Sequence, residues 1–345
     1  MKRISGKVRL AIVGTGGISG AHAKGILAHP EAVECVALCD ISEKNMKGRS
    51  DQLGGVGAQF KDWRRMLKRM GDGLDAVLIC LPHHLHARCI LDCAAAGKHV
   101  LCEKPMCISL AEADAIARAV RRARITYMSA HNQLFMPVVR EARRMIDAGR
   151  IGAVRWIRSQ DCFTARSEWF KGTWRARVRT QGGGELIDTG YHPTYRLLHL
   201  AQAPVVGVRG SMSRFLLDIE GEDAASVQVR FASGVLGEIL TSWSFNLPHG
   251  SHQIHVIGET GEIFGTESKL YYLPAGCSEP ALMTLPATDT FADQMAHFAE
   301  CLRTGTRPLH GIEEGRAVLE VILAATQDAA GWRRFAPHAG GSSGG

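Results

Sequence analysis

Residues 8–19, VRLAIVGTGGIS, constrain the fold more than any other stretch of the chain. A short run rich in Val, Ile and Leu, without polar alternation, reads as a buried strand. It passes directly into a glycine turn and then a helical pattern. Gly14 permits the tight reversal, while Gly16 and Gly17 leave the backbone bare for a pyrophosphate. The helix opening near Ile18 adds unpaired N–H groups to the anion site. Ser19 occupies the third fingerprint position, where Gly or Ala is usual. A second apolar run, AVECVALCD, ends on Asp40, about 20 residues past the turn, where a carboxylate hydrogen-bonds the ribose of NAD and repels the 2′-phosphate of NADP. Neither Ile41 nor Ser42 supplies a cation for that phosphate. Together these features predict a dinucleotide site with NAD as the cofactor.

The alternation continues through DAVLICL, HVLCEKP and ITYMSAH, each a short apolar strand separated from the next by a helical pattern. The clearest helix is SLAEADAIARAVRRA, with Ser109 and Glu112 as a capping box and Leu110, Ala113, Ile116, Ala117 and Val120 as one apolar stripe. Regular alternation of this kind predicts an α/β class with a doubly wound parallel Rossmann sheet over residues 1–130. From about residue 151 the texture changes to longer strand candidates: VRWIRSQDCF, ASVQVRF, GVLGEILTSWSF, SHQIHVIG and GEIFG. These predict a large, open, mostly antiparallel sheet. Residues 182–200 form a helix upon it, with further helices near 290–303 and 311–330. A second α/β domain, for substrate binding and oligomerisation, is therefore expected over 131–330, and a disordered tail over 331–345. A chain of 345 residues exceeds what one core usually organises, in keeping with two domains.

Bulk properties exclude several classes. The net charge of +7 is spread over helices such as RRMLKRM and RAVRRAR, with no aromatic interleaving, so nucleic acid is not an expected partner. Ten cysteines include no C-x-x-C pair. The one metal-like cluster, His83, His84, His86, Cys89 and Cys93, lacks a second half, so no metal is expected. Free thiols fit a reducing compartment. With no signal-like or membrane-length apolar run, the expected location is the cytoplasm and no membrane partner is expected.

GGGELIDTGYHP, residues 182–193, sets an aspartate and a histidine four apart behind three glycines. On one continuous helix, Asp188 and His192 would share a face. Such a pair serves either as a structural hydrogen bond or as catalytic machinery, and spacing alone leaves both open. Pro193 disfavours helical geometry at His192, so the helix is expected to kink or restart there.

GTGGIS, the LPHHLHARCILDCAAAGKHV segment, Glu103-Lys104-Pro105 and the G-G-G-x-x-x-D-x-G-x-H pattern of Gly182 to His192 together resemble the Gfo/Idh/MocA oxidoreductases, typified by glucose-fructose oxidoreductase and inositol dehydrogenase. The resemblance runs to about residue 330. It implies an NAD-dependent dehydrogenase acting on a ring hydroxyl of a sugar or cyclitol. It also implies a cofactor held by Gly14, Gly16, Gly17, Ile18, Asp40, Leu81, Pro82, His86, Glu103 and Lys104. Within it, Lys104, Asp188 and His192 are the catalytic candidates: His192 as base, Asp188 as the group orienting it, and Lys104 on the reacting oxygen. Which of Lys104 and His192 takes the proton stays open. Substrate contacts fall to these three with Trp174 and Arg175, although a core tryptophan beside a solvated arginine is an equal reading of that pair. The resemblance further implies a cis Lys104–Pro105 bond and a homodimer or homotetramer.

The chain departs from the family pattern at three points. Tyr195 stands where an acidic residue is frequent, Leu134 where arginine is frequent, and His84 where asparagine is common. They bear on substrate more than on fold. A glycosidase-like enzyme that oxidises, eliminates and re-reduces through its NAD, or a non-catalytic NAD-binding regulator, are the alternatives on this scaffold.

Overall fold

In the computed structural model, residues 4–331 are described. Of the tail expected over 331–345, all but Gly331 lies outside them. Six strands make the first sheet: β1 (Val8–Val13), β2 (Val33–Cys39), β3 (Ala58–Phe60), β4 (Ala76–Ile79), β5 (His99–Cys102) and β6 (Tyr127–Ser129). Between them run α1 (Ser19–Leu27), α2 (Glu43–Gln52), α3 (Trp63–Met70), α4 (His83–Ala95) and α5 (Leu110–Ala123). The order is β3-β2-β1-β4-β5-β6 and every pairing is parallel. Strand order therefore reverses direction at β1, where ligands bind beyond the carboxyl ends of the strands. β1, β4 and β5 are buried almost throughout, which is why they lack polar alternation. Only half of the expected capping box forms: Ser109 Oγ accepts the Glu112 N–H, but the Glu112 carboxylate accepts from the Ile108 N–H, one residue ahead of the cap.

After α6 (Pro137–Asp147), the second sheet begins with β7 (Val154–Cys162). It is followed by α7 (Val178–Gln181), α8 (Glu185–Asp188), α9 (Tyr191–Ala201), β8 (Val205–Ser213), β9 (Ala224–Phe231), β10 (Leu236–Ser242), β11 (Ile254–Gly258), β12 (Gly261–Thr266), β13 (Lys269–Pro274) and β14 (Ala281–Thr284). The eight strands run β14-β13-β12-β11-β7-β10-β9-β8, antiparallel except for β7 with β10. One face carries α6, α9 and α11 (Ile312–Ala330), and α10 (Thr290–Thr304) returns to pack against α1. Sequence patterning missed β3, β8, β13 and β14. β3 and β14 are short, and β8 is interrupted by Gly207 and Gly210.

β9 is apolar on one face only: Ala225, Val227, Val229 and Phe231 are buried, whereas Ser226, Gln228 and Arg230 are exposed. The uncovered face takes its apolar character from Leu236, Trp156, Ile257, Phe264 and Tyr271 instead. The expectation of one helix over 182–200 needs correction: the chain breaks at Thr189-Gly190, between α8 and α9. Gly190 fits there because a Cβ would lie 2.7 Å from Leu186 Cα. Pro193 then sits inside the first turn of α9, where its missing N–H has no intrahelical acceptor to lose. Among the described residues no helix is long and apolar enough to cross a membrane, and no cluster of His, Cys, Asp or Glu is arranged to hold a metal.

Candidate active site

A cavity of about 670 Å³ opens where the carboxyl ends of β1, β2, β4 and β5 meet. Its cofactor end is lined by Gly14, Gly16, Gly17, Ile18, Asp40, Leu81 and Pro82. Gly14 has φ +90°, and a Cβ there would approach the Cys80 carbonyl oxygen to 2.4 Å, so the turn needs glycine on both counts. A Cβ on Gly16 or Gly17 would meet nothing within 4 Å. These glycines keep bare a cradle that side chains would fill. Helix α1 has no side-chain cap; the Gly20 and Ala21 N–H groups are spent on Gly17 O and Ile18 O, so the N–H groups of the turn ahead of Gly20 are the ones that remain for an anion. The residues thus fit a dinucleotide.

The departure at Ser19 is structural. Its hydroxyl donates to Gly16 O at 2.6 Å and accepts from Arg49 Nε at 2.9 Å, while Arg49 Nη2 also donates to Gly16 O. A buried serine and a half-buried arginine therefore brace the loop from behind. Asp40 does two things. Oδ2 accepts from the Thr15 N–H at 2.7 Å and the Thr15 hydroxyl at 3.0 Å, and Oδ1 accepts from the Ser42 N–H, so the carboxylate also ties the glycine loop to the end of β2. Lys61, which sequence reasoning missed, lines the same end and is paired at 2.6 Å with Glu43.

His86 is the one expected cofactor contact that does not reach the cavity. It is fully buried, with Nδ1 against Pro105 O and Nε2 against Leu81 O, each at 2.7 Å. It ties together the loops after β4 and β5, and any influence on the cofactor passes through Leu81. Glu103 lines the cavity, with Oε1 2.7 Å from buried His22 Nε2. The Lys104–Pro105 bond is cis.

At the other end stand Lys104, Asp188, His192, Trp174 and Arg175, drawn from four segments. Gly184 makes this convergence possible: a Cβ would lie 2.2 Å from the Glu222 carbonyl oxygen, so only glycine lets α8 seat against the loop that leads into β9. The Asp188 carboxylate accepts from Lys104 Nζ at 2.7 Å, Arg175 Nε at 3.0 Å and Gln181 Nε2 at 3.3 Å. Lys104 Nζ also donates to the Asp188 main-chain oxygen at 2.9 Å. Burial alone would raise the Asp188 carboxyl, but the charges of Lys104 and then Arg175 outweigh it and hold the group well below the usual carboxylate range.

This corrects the expected role of Asp188. It does not orient His192 but holds Lys104 and Arg175. His192 Nδ1 instead meets the Tyr195 hydroxyl at 2.7 Å. Burial, reinforced by Lys104 and Arg196 and opposed by Asp188, pushes the His192 imidazole well below its ordinary pKa, so it is neutral at neutral pH. Trp174 packs edge-on against His83 at 4.6 Å, and the Arg175 guanidinium sits over the Trp174 ring at 4.4 Å. Both residues face the cavity, so the core-tryptophan alternative does not hold.

Sequence reasoning also missed three lining residues. His83 was weighed only as a metal ligand. Its Nδ1 lies 2.8 Å from Gln181 O, and burial lowers its pKa to about 3. Asn132 and Gln133 follow β6 in a short turn. Gln133 Oε1 accepts from Arg196 Nη1 at 2.5 Å, and Arg196 is wholly buried, with Nη2 on Gln160 O. An arginine in the middle of α9 was the available signal, because a buried guanidinium needs acceptors supplied from other segments.

Two family models match. One is described as an oxidoreductase family with an NAD-binding Rossmann fold, over residues 8–131, and the other as a GFO/IDH/MocA C-terminal domain, over residues 139–264. The chain belongs to the Gfo/Idh/MocA oxidoreductase family. Its Rossmann sheet is accordingly an NAD-binding one, and NAD is the cofactor. The chain is 28% identical to scyllo-inositol 2-dehydrogenase (NAD(+)) of Bacillus subtilis, covering 93% of each chain. It is 25% identical to myo-inositol 2-dehydrogenase of Thermotoga maritima, over 92% of this chain and 95% of that one. Among solved structures, aldose-aldose oxidoreductase from Caulobacter crescentus, complexed with glycerol, superposes with a TM-score of 0.84 at 26% identity, covering 95% of this chain and 98% of that one.

Proposed function

We propose that this protein is an NAD-dependent dehydrogenase moving a hydride between a ring hydroxyl of a sugar or cyclitol and the nicotinamide. The observation that carries the reading is the single cavity that runs from the bare glycine cradle and Asp40 to Lys104 and His192. Bound NAD supplies the hydride acceptor or donor. The protein supplies what the oxygen needs: Lys104, anchored through two hydrogen bonds to Asp188, and His192, anchored by Tyr195, both address the hydroxyl whose carbon is oxidised. Trp174 offers an aromatic wall and Arg175 the Nη groups not used on Asp188, a combination suited to a polyhydroxylated ring. The inositol dehydrogenases among the relatives support a cyclitol, and the aldose oxidoreductase supports a sugar.

NAD is preferred over NADP in this reading. Asp40 stands where a 2′-phosphate would lie, and the one lysine nearby, Lys61, is engaged by Glu43. The test is a panel of inositols and aldoses offered with NAD, followed by the absorbance of the reduced nicotinamide. Net reduced cofactor from at least one ring is expected, and turnover without it would turn the reading toward oxidation, elimination and re-reduction.

A further inference from the structure

The hydrogen bonding around Tyr195 decides what His192 does. Tyr195 is fully buried, and its ring is stacked on His131 at 4.3 Å and 10°. Its hydroxyl accepts the main-chain N–H of Gln133 at 3.1 Å and lies 2.7 Å from His192 Nδ1. A phenol has one proton to give. In the position it occupies, His192 Nδ1 is the acceptor for that proton. If the imidazole donated from Nδ1 instead, the hydroxyl would receive two N–H groups and its own proton would be buried without an acceptor. That penalty disfavours the arrangement by about 10-fold or more.

We propose that Tyr195 donates its O–H to Nδ1 of His192, fixing the neutral ring as the Nε2–H tautomer, so that His192 is a hydrogen-bond donor to the substrate oxygen and Lys104 accepts the proton. The proposal rests on the dehydrogenase reading for its kinetics but not for its tautomer. A ring already protonated at Nε2, with Nδ1 occupied by the tyrosine, has no lone pair for a substrate proton. Lys104 is paired as an ammonium with Asp188 in the resting site and acquires a lone pair by giving one proton to solvent before oxidation; as the amine, Nζ keeps two hydrogens for the Asp188 main-chain oxygen and Oδ1 and presents the lone pair to the cavity it lines. In oxidation the substrate's O–H proton passes to that lone pair, leaving an ammonium. The O–H electron pair closes the C=O bond as the C–H pair leaves with the hydride to NAD. The Nε2–H of His192 stabilises the oxygen throughout and is not consumed. Tyr195 is thus a positioning residue, acting through His192.

The surrounding charges agree. Lys104 and Glu103 face the pair from the loop after β5, Asp188 from α8, Arg196 from α9 and Asp161 from β7. His131 and His310 complete the shell, joined Nδ1 to Nδ1 at 2.6 Å and both kept neutral chiefly by burial. Lys104 and Arg196 both oppose a second proton on His192.

The test is the ¹⁵N spectrum of the histidine-labelled full-length protein, with NAD and without substrate, the His192 signals being those lost in His192→Gln. The expected spectrum has a protonated Nε2 and an unprotonated Nδ1, and Tyr195→Phe, which keeps the ring stack, should mix the two tautomers. A protonated Nδ1 in the wild type, or an unchanged His192 spectrum in Tyr195→Phe, overturns the lock. Kinetics supply the second arm. His192→Gln keeps a donor but no base, so its turnover should fall by less than that of Lys104→Met and its pH profile should keep the wild-type position, whereas Lys104→Met should lose about 10² to 10⁴. Equal damage from the two variants, or a pH profile altered by His192→Gln, overturns the assignment of the proton to Lys104. Failure of every ring hydroxyl to yield reduced cofactor would refute the dehydrogenase reading while leaving the tautomer result intact.

Discussion

Asp188→Asn is the perturbation whose cost can be worked out most fully from the geometry. The carboxylate side chain is 7% exposed and receives three side-chain donors, two on Oδ2 and one on Oδ1. An asparagine keeps one acceptor oxygen and turns the other into an NH₂. In one orientation that NH₂ faces the N–H groups of Arg175 and Gln181, and in the other it faces Lys104. Either way a donor meets a donor and Lys104, 12% exposed, loses its counter-charge. Removing one partner of a buried pair costs about 3–5 kcal/mol. Arg175 is 42% exposed and can turn to water, so its share is screened and the lower end, about 3 kcal/mol, is expected. The pH dependence has a definite sign. Because the Asp188 carboxyl is held below its unfolded value, its stabilisation is complete above the ordinary carboxylate range and fades as pH falls toward the depressed folded value. Urea denaturation with an unchanged slope should therefore show the full gap between wild type and variant at neutral pH, narrowing below about pH 4. NAD affinity, read by calorimetry, should be nearly unchanged, while turnover falls about 10²-fold through misplacement of Lys104. A variant as stable as wild type, or a gap indifferent to pH, would mean that Asp188 does not hold Lys104 and Arg175 as a buried counter-charge.

Gly14→Ala and Gly16→Ala should separate fold from cofactor binding. The first meets the Cys80 carbonyl at a positive φ and should cost more than the ~1–3 kcal/mol of backbone strain alone, whereas the second points into open space and should weaken NAD binding at normal stability. Thermal melts with and without NAD distinguish them, and equal loss of stability would contradict the assignment. Efficiency with NAD should exceed that with NADP by at least ~10-fold, the factor that 1.4 kcal/mol of repulsion at Asp40 provides. Equal efficiencies would end that claim. The uncovered sheet face, with Trp156, Phe264 and Tyr271 partly exposed, should pair with a second copy. A solution mass of one 37.4 kDa chain at micromolar concentration would rule this out.

What was legible in the sequence was local. The glycine turn and Asp40 are short-range features whose backbone demands leave few alternatives, and α5 announces its own cap and stripe. The tie between Asp40 and Thr15 was invisible because it joins two loops across the sheet. The site was half legible for the same reason. Spacing suggested that Asp188 serves His192, but the break at Gly190 turns Asp188 toward Lys104 and Arg175, and His192 toward Tyr195 three residues on. Gln133 and His83 reach the cavity only through contacts with Arg196 and Gln181, each far away in sequence. His86 shows the converse: a polar residue amid a motif whose ring is spent entirely on main-chain carbonyls.

Net hydride transfer from a ring hydroxyl to NAD is read by the reduced-nicotinamide absorbance when purified protein and NAD meet a panel of inositols and aldoses. Stoichiometric reduced cofactor and ketone are expected from at least one of them, and both should be lost in Lys104→Met. Substrate consumed without net reduced cofactor, or NAD bound tightly with no ring oxidised across the panel, would contradict net hydride transfer.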